Sequence, residues 1–118
     1  MILWRAARRP YADLSGQGGF YGSGRWHSKG RAIVYTAEHP ALALLEVRVN
    51  LDVQADLVPP DYVMLKISAP EGLGMPVPDV DPADHRAARK AGDAWLAEGK
   101  FPLMRVRSVI APESFNIL

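Results

Sequence analysis

Residues 32–51 read AIVYTAEHPALALLEVRVNL, and how this stretch divides decides the fold. Ala32 to Thr36 is apolar and β-branched enough to predict a buried strand. Pro40 then suits the first turn of a helix, where its missing N–H leaves nothing unpaired, and Ala41 to Leu45 can continue that short helix. From Leu45 the pattern changes. Leu45, Val47, Val49 and Leu51 alternate with Glu46, Arg48 and Asn50, a period of two that predicts a strand. On that reading Glu46 shares a polar face with Arg48 and Asn50, opposite the apolar side.

Upstream, residues 1 to 5 form a short apolar strand ending on Arg5. The chain from Arg8 to Gly30 holds Gly16, Gly18, Gly19, Gly22, Gly24 and Gly30, a density that regular elements do not tolerate. Tyr11, Phe20, Tyr21 and Trp26 are interleaved with these glycines, which predicts an ordered, packed loop of the functional kind. Downstream, Pro59-Pro60 marks a turn, Tyr62 to Ser68 reads as a strand, and the Pro- and Gly-rich residues 69–82 form an irregular connector. A helix follows, with Asp81 as N-cap, Pro82 in its first position and Asp84 complementing the helix dipole. Ala87, Ala88, Ala91, Ala94 and Trp95 share one face, and Gly99 ends the helix. Leu103 to Ile110 is the final strand. The mixed element order predicts an α+β fold with a small, largely antiparallel mixed sheet and flanking helices.

Composition bounds the rest. At 118 residues the chain makes one domain, and 48% hydrophobic with 23% charged residues is globular. A formal net charge of +1 speaks against a dedicated nucleic-acid binder, although Arg5, Arg8 and Arg9 cluster. With no cysteine there is no disulfide, thiol catalysis or thiolate metal site. The N-terminus lacks a signal-peptide core, and no apolar run approaches the roughly 20 residues that span a bilayer. A soluble, cytoplasmic protein is expected, with no membrane partner.

Three places could carry chemistry. In Gly24-Arg25-Trp26 a guanidinium on a glycine loop suits bidentate recognition of phosphate or carboxylate, though such an arginine more often just closes a loop. Neither the dinucleotide nor the P-loop fingerprint surrounds it. Glu46 is either a solvated edge carboxylate or a group that stabilises positive charge on a sugar ring, and Tyr35 could stack on a leaving base. Strand alternation puts Ser108 on one face with Met104 and Val106, able to bond phosphate or ribose oxygens. His27, His39 and His85 make a serine triad conceivable, but no G-x-S-x-G elbow is present and no metal spacing exists, so no metal is assigned. Each histidine reads most simply as a surface or capping residue, with His27 close to Arg25.

Taken together these segments resemble the RES-domain family, toxins of bacterial toxin–antitoxin modules. The likeness runs through Trp4-Arg5, Gly24-Arg25-Trp26, Val34-Tyr35-Thr36, Ala43-Leu44-Leu45-Glu46, Gly92-Asp93-Ala94-Trp95-Leu96, Val106-Arg107-Ser108 and Asn116-Ile-Leu118. Arg25, Glu46 and Ser108 fall on the name-giving catalytic positions, and Arg5 and Tyr35 on further, substrate-binding ones. Arg107 stands where the family usually has proline. The family pattern also continues past Leu118, so the resemblance implies a single RES-like domain over 1–118 that lacks the C-terminal extension.

The resemblance implies a type II toxin that degrades NAD⁺ at the nicotinamide–ribose bond, by phosphorolysis or hydrolysis, on a fold similar to ADP-ribosyltransferases. NAD⁺ is then substrate, and no cofactor is needed. Arg5 and Arg25 would hold the pyrophosphate, Tyr35 would orient the nicotinamide or its ribose, and Glu46 would stabilise the ribosyl cation. Ser108 would position a phosphate or hydroxyl group without acting as nucleophile. The implied partner is an Xre-type antitoxin, with DNA reached only through it and a dimer allowed within the complex. The alternatives are an ADP-ribosyltransferase acting on a protein target and a catalytically impaired antitoxin-binding module.

Overall fold

A computed structural model describes residues 1–51 and 61–118. In chain order the elements are β1 (Ile2–Arg8), a 3-10 turn (Arg9–Tyr11), α1 (Gly18–Tyr21), β2 (Thr36–Ala37), α2 (Pro40–Leu51), β3 (Tyr62–Ser68), α3 (His85–Glu98), β4 (Arg105–Arg107) and β5 (Phe115–Ile117). The five strands form one sheet in the order β3-β1-β2-β5-β4, every neighbouring pair antiparallel. The α+β expectation therefore holds. The expected turn at Pro59-Pro60 lies outside the described residues.

Residues 32–51 divide differently from the sequence expectation. Residues 45–51 are not a strand: α2 runs unbroken from Pro40 to Leu51. His39 precedes the helix, and its Nδ1 accepts the N–H of Leu42 at 3.3 Å, which satisfies one orphan donor of the first turn. The Ala-Leu run that follows is strongly helix-forming, and once a helix is nucleated each further residue adds a bond at little cost. Helical spacing then buries Leu42 and Ala43 and half-buries Glu46 and Val47, leaving Ala41, Leu44, Leu45 and Arg48 exposed. Glu46 thus sits one turn beyond Leu42 on the inward face, not on a polar face with Arg48.

The strand expected over Ala32–Thr36 contracts to Thr36–Ala37. Its earlier backbone is engaged elsewhere, since the Ile33 N–H bonds the Gly16 carbonyl of the glycine loop at 3.3 Å. β1 is longer than expected, pairing with β3 in unbroken register from Ile2↔Ser68 to Arg8↔Tyr62. The strand expected over Leu103–Ile110 is the three residues of β4, followed by β5. Burial of Met104, Val106 and Ser108 matches the expected alternation.

The helix α3 starts three residues later than expected, because Asp84 is its N-cap and accepts the Ala87 N–H at 3.1 Å. Asp81 instead closes the preceding turn, accepting the Ala83 N–H at 2.9 Å. Gly99 ends the helix in the left-handed conformation, φ +59. Ala94 is exposed, and the inward face consists of Ala88, Ala91, Gly92, Trp95 and Leu96. These residues pack with Trp26, Ile33, Met104, Val106 and Leu118, while Leu42 and Ala43 of α2 pack with Ala37, Trp4 and Ala6. Among the described residues no helix is long and apolar enough to cross a membrane.

Gly92 fixes how closely α3 approaches the glycine loop. A Cβ there would run into the carbonyl of Trp26. Two long-range hydrogen bonds reinforce this seam: Asp93 accepts the Ser28 N–H at 2.7 Å and its hydroxyl at 2.6 Å. Partial burial pushes the Asp93 carboxyl up, but the two Ser28 hydrogen bonds together with the nearby His27 and Arg31 hold the group below its ordinary range. Replacing Gly92 by alanine should push the helix off the loop and cost about 2–3 kcal/mol in urea denaturation, and a cost near zero would contradict the contact.

Candidate functional site

The inward turn of α2 brings the Glu46 carboxylate against the end of β4 and the middle of β5. Its Oε1 accepts the Ser108 hydroxyl at 2.7 Å and the Asn116 side-chain N–H at 2.8 Å. Both donors converge on one oxygen. Among the described residues Oε2 has no partner, so one carboxylate oxygen is held and the other is not.

Ser108 is fully buried, and all its capacity is spent inside the protein. Its Oγ accepts the N–H groups of Ile110 and Ala111 at 3.1 and 3.2 Å, while its single proton goes to Glu46. A hydroxyl offers one donor and two acceptor positions, and all three are used. The geometry thus makes Ser108 a support for Glu46 and gives it no free lone pair for a phosphate or ribose. Asn116 is equally fixed, since β5 places it opposite Val106 of β4 and Ala37 of β2.

The glycine loop comes to this carboxylate through Tyr35. The Tyr35 oxygen accepts the Trp26 N–H at 3.2 Å and lies 2.7 Å from His27 Nδ1. His27 Nε2 is 2.9 Å from the Gly22 carbonyl, which can only accept. The network therefore assigns the imidazole proton to Nε2, and the Tyr35 phenol donates to Nδ1. Burial pushes the Tyr35 phenol up to about 12, against the opposing Trp26 N–H. His27 is buried in this role and neither surface nor capping, in contrast to the sequence expectation, whereas His39 does cap α2. A Cβ on Gly24 would come within 2.5 Å of the Tyr35 oxygen and 2.9 Å of His27, so glycine is required for the close approach.

Arg25 projects from this loop toward the start of α3. Its Nη1 donates to the Pro82 carbonyl at 2.8 Å and reaches His85 Nε2 at 3.3 Å. Arg89 grips the Gly24 carbonyl through Nε and Nη2 at 3.2 and 3.1 Å, and Arg107 donates to the Pro112 carbonyl at 3.1 Å. Arg5 is steered likewise by the carbonyls of Asp13 and Tyr11, both at 3.3 Å. Burial lowers the Arg5 guanidinium from its ordinary value, partly offset by Asp13. Among the described residues none of these four arginines pairs with a carboxylate. Carbonyls orient the cations without cancelling their charge.

Two cavities meet at Tyr35, Glu46 and Asn116. One, of about 230 Å³, extends toward Trp4 and Arg5. The other, about 380 Å³, opens among Arg25, His85, Arg89 and Arg107. Arg5, Arg25, Tyr35 and Glu46, singled out from the sequence, thus border one bipartite cleft, and Ser108 lies behind it. Asn116 and Arg89 carry no site signal of their own in the sequence, and His85 enters there only as a histidine of a conceivable triad. Asn116 appeared only within the Asn116-Ile-Leu118 segment, and no local pattern tells that β5 delivers it to Glu46. A larger cavity of about 550 Å³ is mainly apolar and contains none of these residues.

Comparison with known proteins agrees with the resemblance read from the sequence. Residues 2–118 match the RES domain family model. A protein named Toxin Res from Pseudomonas putida is 38% identical over 122 residues, an alignment covering 100% of this chain and 83% of that protein. The Prs ADP-ribosylating toxin of a Sphingobium species is 36% identical over 129 residues, with 98% and 80% covered. A second protein named Toxin Res, from Photorhabdus laumondii, is 34% identical over 128 residues, with 100% and 80% covered.

The Tyr35 hydroxyl gives a test that needs no substrate. Its pKa is raised on folding, so the phenol stabilises the fold fully below pH 10 and loses that contribution as pH climbs toward about 12. The stability difference between wild type and Tyr35→Phe should therefore shrink across that interval. A difference that stays flat through it would show that the phenol is not buried on His27.

Proposed function

The chain belongs to the RES domain family, and from that premise we propose that it is a toxin of a type II toxin–antitoxin module that cleaves the nicotinamide–ribose bond of NAD⁺. The observation that carries this reading is the pairing of one half-free carboxylate, Glu46, with carbonyl-steered arginines in a single cleft. A dinucleotide has a doubly charged diphosphate for the arginines and a ribosyl carbon for the carboxylate. A guanidinium with no carboxylate partner gains most from a phosphate ligand.

In the proposed reaction Arg25 and Arg5 hold the diphosphate, with Arg89 and Arg107 adding to the positive field on the Arg25 side. Tyr35 presents its ring to the cleft, because its hydroxyl is committed to His27 and Trp26. The bond from ribose C1′ to the nicotinamide nitrogen breaks, and its electron pair leaves with the base, which departs neutral and needs no general acid. Glu46 stabilises the positive charge that develops on the sugar, through Oε2. An oxygen of phosphate or water then bonds C1′, giving ADP-ribose 1″-phosphate or ADP-ribose. Ser108 acts by holding Glu46. NAD⁺ is substrate here, and no cofactor enters.

The partner belongs to the same reading. The names Toxin Res carried by two relatives support an antitoxin partner, and we take it to be of Xre type, with DNA contacted only through it. A second acceptor is favoured by one observation, the name Prs ADP-ribosylating toxin of the Sphingobium relative. In that version a protein side chain replaces phosphate or water.

Incubating the purified chain with NAD⁺, with and without phosphate, and identifying products by mass spectrometry decides among these. Free nicotinamide with ADP-ribose or its phosphate is expected, and ADP-ribose attached to protein would favour the second acceptor. Glu46→Gln and Arg25→Ala should each lower turnover by roughly 100-fold or more, and Ser108→Ala by about tenfold. No nicotinamide release by the wild-type chain would refute the reading.

A further inference from the structure

The cleft lined by arginines is bordered by Asn116, one of whose polar atoms nothing among the described residues satisfies. Asn116 points its N–H at Glu46 Oε1, and because a carboxylate oxygen only accepts, this fixes the orientation of the amide. Its carbonyl oxygen, Oδ1, is buried without a hydrogen-bond partner, the one such side-chain atom among the described residues. Leaving a buried acceptor unpaired costs free energy, and a donor that reached it would recover that cost. The side chain belongs to β5, which is paired on both sides, and it borders both halves of the cleft with Glu46 and Tyr35.

Glu46 Oε2 is likewise without a partner among the described residues, and one N–H···O bond joins the two side chains. The joined pair therefore carries two unpartnered acceptors, whereas the arginines of the cleft offer only donors. Phosphate oxygens suit the arginines and are repelled by the acceptors. A sugar hydroxyl is a donor and suits the acceptors. We propose that Asn116 is a ligand-binding residue, whose Oδ1 accepts a hydrogen bond from a ribose hydroxyl while Glu46 Oε2 accepts from its neighbour, so that the pair reads the vicinal diol beside the scissile bond. This rests on the NAD⁺ reading and adds to it a determinant for the sugar. Support for Glu46 is then only half of what Asn116 does.

The test uses a non-cleavable carbocyclic analogue of NAD⁺ and two versions of it, one lacking the 2′ and one the 3′ hydroxyl of the nicotinamide-side ring. Each is titrated calorimetrically into wild type and Asn116→Ala. Wild type should bind both deoxy analogues about five- to tenfold more weakly than the parent, the scale of one hydrogen bond. In Asn116→Ala the loss for one of the two should vanish, because side chain and hydroxyl are partners and their removals do not add. The near-isosteric Asn116→Leu gives the same reading should the alanine variant not fold. If both losses persist undiminished in the variants, Asn116 serves Glu46 alone and the proposal is overturned. If wild type binds none of the three compounds, the NAD⁺ reading itself fails, an outcome distinct from the last.

Discussion

A carboxylate placed on the inward face of a helix must be given hydrogen-bond donors, or its burial would cost more than a small domain can spare. In this protein the donors for Glu46 are a buried serine at the end of β4 and an asparagine in the middle of β5. Much of the architecture follows from that requirement. The helix α2 has to dock one turn of Leu42 and Ala43 on the sheet so that the next turn delivers Glu46. The strand β5 has to lie between β2 and β4 to bring Asn116 to it. The backbone after β4 has to fold back so that Ile110 and Ala111 hold the Ser108 oxygen in place.

The cationic side of the cleft is built by a different principle. The glycine loop is anchored in the core by Trp26 alone of its aromatics and is otherwise pinned by polar contacts: Tyr35 with His27 and Trp26, Arg89 with Gly24, and Asp93 with Ser28. Gly24 and Gly92 make these contacts sterically feasible. The arginines that result are aimed by carbonyl oxygens, which cost them no charge. Tyr35, Glu46 and Asn116 border both cavities, so Arg25, Arg89 and Arg107 line one of them together with the carboxylate.

How much of this the sequence discloses depends on where each signal is local. Tyr62–Ser68, the helix ending at Gly99, and the alternation of Met104, Val106 and Ser108 are all visible in the residues. The error over residues 45–51 has a specific cause. In α2 the inward position after Leu42 and Ala43 is filled by a glutamate, where an ordinary amphipathic helix would carry an apolar residue. That substitution erased the helical stripe and left an apparent alternation of two. The candidate site residue is thus also the one that disguises its own element. Likewise Ala32–Tyr35 has strand-like residues, but Ile33 gives its N–H to the glycine loop and not to a neighbouring strand. The roles of Asn116, Arg89 and His27 depend on pairings distant in sequence or on a tautomer, and no short pattern encodes either.

The division of labour between cation-lined pocket and carboxylate is the centre of the account. It is most directly tested by titrating NAD⁺ into the Glu46→Gln protein and assaying the same sample for released nicotinamide. Saturable binding without release is the expected result, since the arginines and the sheet are untouched while charge stabilisation at the sugar is lost. Nicotinamide release at the wild-type rate from that variant would contradict it.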